Sequence, residues 1–411
     1  MSSSRGPGET RLVVVGPTTP PFHGGAVMTE RLLSALRAHG LLAAHLDTRD
    51  PRPLVSIGRL EPRNVWLGIE HSWKFARLLV RNPDAGVYVP ISQGRWGFLR
   101  DAVLLLIARL AGRRRIVHLH GGYFQTFYRE SGPGMRALIR LVLAGVEQAW
   151  VLTEGLRAMF EGLVPPERVK VVANAVEDPS PRSRVTNGDE GEGSGPFRVL
   201  YLSNFAPGKG WDDLITAAER LSERDSSLPL HLRLVGEFPA AMRPDLLRRA
   251  ERLARSGIRV DLLGTRTGEA KKAEYRWADL FAYPSTYLYD GQPLVLLEAM
   301  AAGLPIVTSA MGGIGDTVSD GETAVVIAPG DVDGLVRSIE GIARDDALRR
   351  RLGAAARRRY LAHYTPERFA ETVGALIGDD DGDGARAKSP PPDPLARPRL
   401  PTRRRRRFLR T

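Results

Sequence analysis

The 411-residue chain has no cysteine, which excludes a disulfide framework, a thiolate metal site and a cysteine nucleophile. It also lacks long apolar runs: the longest, such as 102–108, fall far short of the roughly 18 residues that a spanning helix needs. Residues 1–10 are polar and carry no apolar segment of the kind found in secretory leaders, so a cytoplasmic protein is expected. Acid is scarce relative to base, with 47 Asp and Glu against 59 Lys and Arg and a net charge of +12. The imbalance is local. Residues 386–411 hold ten Lys or Arg and one acid, Asp393, so they carry +9 and residues 1–385 only +3. The near-neutral body argues against nucleic acid as the main partner.

What remains is the composition of an ordinary globular protein, 43% hydrophobic and 26% charged, with a length suited to two cores. In the first half, β-branched runs at 12–15, 43–46, 86–89, 115–119, 149–152 and 169–172 predict strands. Helical patterns at 26–39, 68–80, 97–111, 134–145 and 154–161 lie between them. This alternation predicts an α/β fold with a parallel sheet covered on both faces. Pro, Ser, Gly and Glu dominate 178–196, which reads as a linker. The rhythm restarts with strands at 198–202, 230–235, 259–263, 280–283, 305–308 and 324–327, predicting a second doubly wound domain over 197–360. Helical spacing continues to 377, and 361–378 is a candidate to cross back to the first domain, residues 1–177. The acidic, then Pro-rich, then Arg-rich stretch 379–411 is expected to be disordered.

Open α/β sheets bind ligands beyond the carboxyl ends of their strands, and four motifs stand there. Gly24-Gly25 follow a strand and open a helix, where backbone N–H groups can approach an anion. His118-Leu119-His120-Gly121-Gly122 end a strand, with both histidines on one face. Ser203-Asn204-Phe205-Ala206-Pro207-Gly208-Lys209-Gly210 place a cation at a helix N-terminus, against the macrodipole, a conflict that a bound anion relieves. The order GxxxxGK[ST] of a P-loop is absent. The fourth motif runs Asp290-Gly291-Gln292-Pro293-Leu294 and on to Glu298, a lone carboxylate in an apolar helix, for which ribose hydroxyls are a suitable partner.

The spacing of these motifs, ending in Glu298-Ala299-Met300-Ala301-Ala302-Gly303-Leu304-Pro305-Ile306-Val307, resembles the GT-B glycosyltransferases of family GT4. Their C-terminal domains carry Glu-x7-Glu followed by Ala-Met-Ala-x-Gly-x-Pro-Val-Val. The resemblance implies two Rossmann-like domains facing a cleft and a retaining transfer from a UDP- or GDP-linked sugar. It places Glu298 on the donor ribose, Asp290 on the transferred sugar, Lys209 on the diphosphate, His120 near the sugar and Arg266 beside the base. The chain departs from the pattern with Asp290 in place of the first Glu, and with Ser203 and Asn204 where an Arg is usual. Backbone amides of Gly24, Gly25, Gln292 and Leu294 are then expected to carry more of the anion, with Gly291 and Pro293 beside the donor as well. Neither cofactor nor metal is expected, in keeping with the lack of an Asp-x-Asp pair at a predicted strand end.

The resemblance further implies an N-terminal domain that binds a saccharide, lipid-linked or small-molecule acceptor in cell-surface glycan synthesis. Trp66, His71, Trp73, Gln93, Arg95 and Trp96 are candidate contacts. The basic tail is a candidate for peripheral contact with anionic lipid at the inner membrane face. Two other readings stay open from sequence: a GT-B enzyme that isomerises or hydrolyses sugar nucleotides, and a nucleic-acid-associated protein driven by the tail.

Overall fold

The computed structural model describes residues 11–20, 23–49, 62–179, 195–224 and 228–378. Most of the linker reading and all of the tail reading fall outside these residues. The chain forms two α/β domains, each built on a six-stranded parallel sheet.

The first domain runs β1 (Leu12–Gly16), α1 (Gly24–Ala38), β2 (Leu42–Asp47), α2 (Pro62–Arg81), β3 (Gly86–Ile91), α3 (Arg95–Leu110), β4 (Arg115–Leu119), α4 (Phe124–Glu130), α5 (Pro133–Leu143), β5 (Gln148–Val151) and β6 (Val169–Val171). The sheet order is β2-β1-β3-β4-β5-β6. Strand β1 shows why its sequence is continuously apolar. Val13 and Val15 join the core beneath α2 and α3, while Leu12 and Val14 join the core beneath α1, so both faces are buried. The segment 154–161, expected as an α-helix, is a 3₁₀ helix over Gly155–Phe160 that ends at Gly162 with φ +70°. The short helix α4 was not anticipated.

The second domain runs β7 (Phe197–Leu202), α6 (Trp211–Glu223), β8 (Leu230–Val235), α7 (Arg243–Arg255), β9 (Arg259–Gly264), α8 (Gly268–Trp277), β10 (Leu280–Tyr283), α9 (Leu294–Ala301), β11 (Ile306–Ser309), α10 (Ile314–Thr317), β12 (Val325–Ile327), α11 (Val332–Arg344) and α12 (Asp346–His363). The order β12-β11-β10-β7-β8-β9 reverses direction between β7 and β10, which puts the crevice of a doubly wound sheet at their carboxyl ends. The Lys209 loop leaves β7 and the Asp290 segment leaves β10, so both arise at this switch point.

The last helix, α13 (Pro366–Gly378), lies on the first domain. Its Phe369, Val373 and Ile377 are buried with Leu12, Val14, Met28, Leu32 and Leu36 of β1 and α1. The Gln148 side chain donates to the Leu376 carbonyl at 2.8 Å.

Candidate active site at the domain interface

The Lys209 loop owes its shape to two glycines. Gly208 and Gly210 both have φ +82°, and a Cβ on Gly210 would lie 2.3 Å from the Pro284 carbonyl oxygen. This left-handed pair folds the loop over the end of β10. Lys209 Nζ is thereby carried onto Asp290 Oδ1, donates to the Tyr283 hydroxyl at 3.2 Å, and lies 4.1 Å from the centre of the Tyr287 ring. The other oxygen of Asp290 accepts from Ser285 Oγ at 2.7 Å and from the Tyr283 hydroxyl at 3.0 Å. Burial, with the Asp290 charge adding to it, holds the Tyr283 phenol well above its ordinary range, so it stays a donor. In this structure Lys209 is thus paired with a carboxylate of the protein. Asp290 spends its hydrogen-bonding capacity on its own domain.

Glu298 is the one carboxylate in α9, and it is met from α8. Its Oε1 accepts from Lys271 Nζ at 2.5 Å and its Oε2 from the Tyr275 hydroxyl at 2.8 Å. Burial, with the Glu298 charge adding to it, raises the Tyr275 phenol well above its usual range. Glu298 opens on a cavity of about 400 Å³ between the domains, lined also by Thr19, Glu30, Arg31, Lys271 and Tyr275. Asn204 and Arg266 are exposed, Asn204 meeting only the neighbouring Ser203 hydroxyl at 3.3 Å.

Between these two carboxylates the domains touch through backbone. Gly121 and Asp290 form an antiparallel bridge. A Cβ on Gly291 would lie 2.5 Å from the His120 carbonyl oxygen, one on Gly312 1.7 Å from that of Asp290, and one on Gly313 2.2 Å from that of Gly291. Only glycine fits this three-way approach. Gln292 completes it: its side-chain oxygen accepts from the Asn174 N–H at 2.7 Å, and its backbone carbonyl accepts from the Asn174 side chain at 2.8 Å. Its side chain and its carbonyl thus tie the domains together. Gln93 bridges likewise, accepting from Tyr123 N at 2.7 Å and donating to the Tyr289 carbonyl at 3.4 Å. Gly312, Gly313 and Asn174 escaped the sequence reading, although the glycine pair follows β11 just as Gly24-Gly25 follow β1.

Two helix N-termini converge beside this contact. Helix α1 is capped by His23, whose Nδ1 accepts from Ala26 N at 3.3 Å, and a Cβ on Gly24 would lie 3.8 Å from Leu294 Cδ1 at the start of α9, whose N-cap is Pro293. His120 stacks on His118 with ring centres 4.0 Å apart. The Tyr88 hydroxyl and His118 Nδ1 share a hydrogen bond of 2.8 Å, and burial keeps both rings neutral, holding His120 down to about 4. Among the described residues, no group of three or more His, Asp or Glu could hold a metal ion.

The fold and this crevice define a GT-B protein with two Rossmann-like domains, and the solved structures agree. Alr3699/HepE of Anabaena, crystallised with UDP and glucose, superposes with a TM-score of 0.64 at 18% identity, covering 90% of this chain and 100% of that one. WaaG, a glycosyltransferase of lipopolysaccharide biosynthesis, gives 0.61 at 19% identity, covering 89% and 100%. Residues 186–359 match the family described as "Glycosyl transferases group 1". A Mycobacterium tuberculosis glycogen synthase is 34% identical over 171 residues, 42% of this chain and 40% of that protein. A GDP-mannose-dependent phosphatidylinositol monomannoside mannosyltransferase of Mycolicibacterium smegmatis is 29% identical over 275 residues, 62% of this chain and 68% of that protein. The chain thus spans about two fifths of the glycogen synthase and two thirds of the mannosyltransferase. It is similar to GT4-like glycosyltransferases, and its architecture is that of the GT-B fold.

Proposed function

We propose that this chain transfers a sugar, with retention, from a nucleoside diphosphate sugar to an acceptor hydroxyl. The observation that carries the reading is the interdomain cavity onto which Glu298 opens, supported by the contact between Gly24 at the start of α1 and Leu294 at the start of α9 and by Lys209 at the switch point of the second sheet. Breaking the anomeric C–O bond leaves negative charge on the departing diphosphate. The free N–H groups at Gly24, Gly25 and Leu294, with Lys209, stabilise that charge without reorganising. Glu298 takes the ribose hydroxyls by exchanging its bond to Lys271 for bonds to the ligand. Neutral His120, beside the Gly121–Asp290 bridge, offers a hydrogen bond near the sugar without adding charge. The acceptor hydroxyl attacks from the face the diphosphate leaves and passes its proton to the departing diphosphate oxygen, so no protein nucleophile is needed. The names of relatives that use GDP-mannose, and of a fold neighbour holding UDP and glucose, support both donor classes.

The test is a screen of UDP- and GDP-sugars by calorimetry, followed by release of nucleoside diphosphate with and without glycan and lipid-linked acceptors. Release that acceptor accelerates, with an α-linked product from an α-linked donor, supports the proposal. Turnover that is indifferent to every acceptor would make the protein a hydrolase or isomerase instead.

A further inference from the structure

Helix α2 buries Phe75 and Leu79 against its sheet, as a helix of this layer must. It also carries a second apolar stripe that no described residue covers. Trp66, Ile69, Trp73 and Val80 are 67, 58, 59 and 80% exposed. At 100° per residue they fall within an arc of about 60°, centred roughly 130° round the helix from the buried pair. The neighbouring α3 repeats the arrangement, with Trp96, Val103 and Leu110 seven residues apart and 41, 46 and 89% exposed. Soluble domains scatter single exposed apolar residues; two adjacent helices that each expose a row of them mark an interaction surface.

The charges on this face say what the surface meets. Residues 62–110 carry seven Lys or Arg against three acids. Glu70 is paired with Lys74 at 2.6 Å, and Asp101 is buried and paired with Arg100 at 2.7 Å, which leaves five arginines against Asp84 and the face cationic. Arg77 lies 4.4 Å from the centre of the Trp73 ring and Arg95 5.2 Å from that of Trp96, each cation alongside an aromatic. Tryptophans flanked by long cations at the rim of an apolar stripe match the boundary between acyl chains and headgroups. No helix of the described residues is long and apolar enough to cross a membrane, so contact would be from one side.

We propose that the outer face of α2 and α3 is a docking surface for an anionic lipid bilayer. The surface reaches the cleft, because α3 begins at Arg95, two residues after the Gln93 that contacts Tyr289 of the other domain. A bilayer held there presents headgroup hydroxyls to the cleft mouth. This goes beyond the tail, which needs only charge, and it does not depend on the donor assignment, since binding is read without turnover.

The full-length protein is tested by co-sedimentation with phosphatidylcholine vesicles with and without phosphatidylglycerol. It is compared with a face variant, Trp66→Ser/Ile69→Ser/Trp73→Ser, and a tail variant with each arginine of 403–407 changed to Gln. The wild type and the tail variant are expected to bind anionic vesicles, with tryptophan emission shifted to the blue and quenched by brominated lipid. The face variant should partition about tenfold less or worse. Its thermal unfolding should match the wild type, because the replaced side chains are exposed. Equal binding by the face variant, or loss of binding in the tail variant alone, overturns the proposal. Wild-type self-association that the face variant abolishes, without vesicle binding, assigns the face to a second copy and also overturns it.

Discussion

Lys209 and Asp290, 81 residues apart in sequence, are bonded to each other in a site where both side chains are nearly buried. The pair joins the two loops that leave β7 and β10, so it sets the floor of the crevice before any ligand arrives. A cation neutralised in this way is a pre-oriented hydrogen-bond donor more than a free charge.

Breaking this pair from either side should therefore cost stability as well as activity. Asp290→Ala leaves a buried ammonium without its partner and is predicted to destabilise the protein by about 3 kcal/mol. Asp290→Asn keeps the shape but loosens Lys209, and should lower kcat more than it raises the donor KM. Denaturant melts and steady-state kinetics check both, with Lys209→Ala expected to lower kcat by about 10²-fold.

Glu298 should behave differently, because the role proposed for it is to hold the ground-state donor. Glu298→Ala is predicted to weaken binding of the nucleoside diphosphate by about tenfold, the worth of a hydrogen bond to a charged group. Isothermal calorimetry measures this directly. An unchanged Kd would remove Glu298 from the ribose.

The glycine contacts give a steric prediction. Gly291→Ala pushes a methyl group against the His120 carbonyl, from which an ideal Cβ is only 2.5 Å away, so the two domains must part. Small-angle scattering should report a larger radius of gyration, and activity should fall while each domain stays folded. Gly134→Ala, at a position with open space around its Cβ, is the control.

The two stacked histidines predict how stability depends on pH. Burial lowers both pKa values below the 6.5 of an unfolded histidine, to about 4 for His120, so below pH 6.5 the unfolded chain binds more protons than the fold. Stability from these groups is complete above pH 6.5 and is lost as pH falls toward 4, at no more than about 1.4 kcal/mol per pH unit for each ring. His120→Gln should flatten that slope in melts between pH 7 and 4.

The strands were legible because burial on both faces leaves unbroken runs such as Val13-Val14-Val15. Glu298 was legible because a carboxylate stands out among apolar neighbours. Its partner was not: Lys271 is 27 residues away on another helix, and nothing local links them. The same distance hid the Gln292–Asn174 contact, whose partners are 118 residues apart. Helix α4 was missed because seven residues give too few turns for a period to show. The apolar residues of α2 read as candidate acceptor contacts, and only the fold reveals how far Trp66 and Trp73 are exposed, at 67 and 59%.

The placement of α13 bears on how the molecule is made. The layer of α1 and β1 stays partly bare until Phe369, Val373 and Ile377 arrive, so during synthesis the earliest domain waits for the latest helix. Its exposed leucines are then open to chaperones or to misassociation throughout translation of the second domain. The two domains, distinct in the finished molecule, are obliged to complete their folding together.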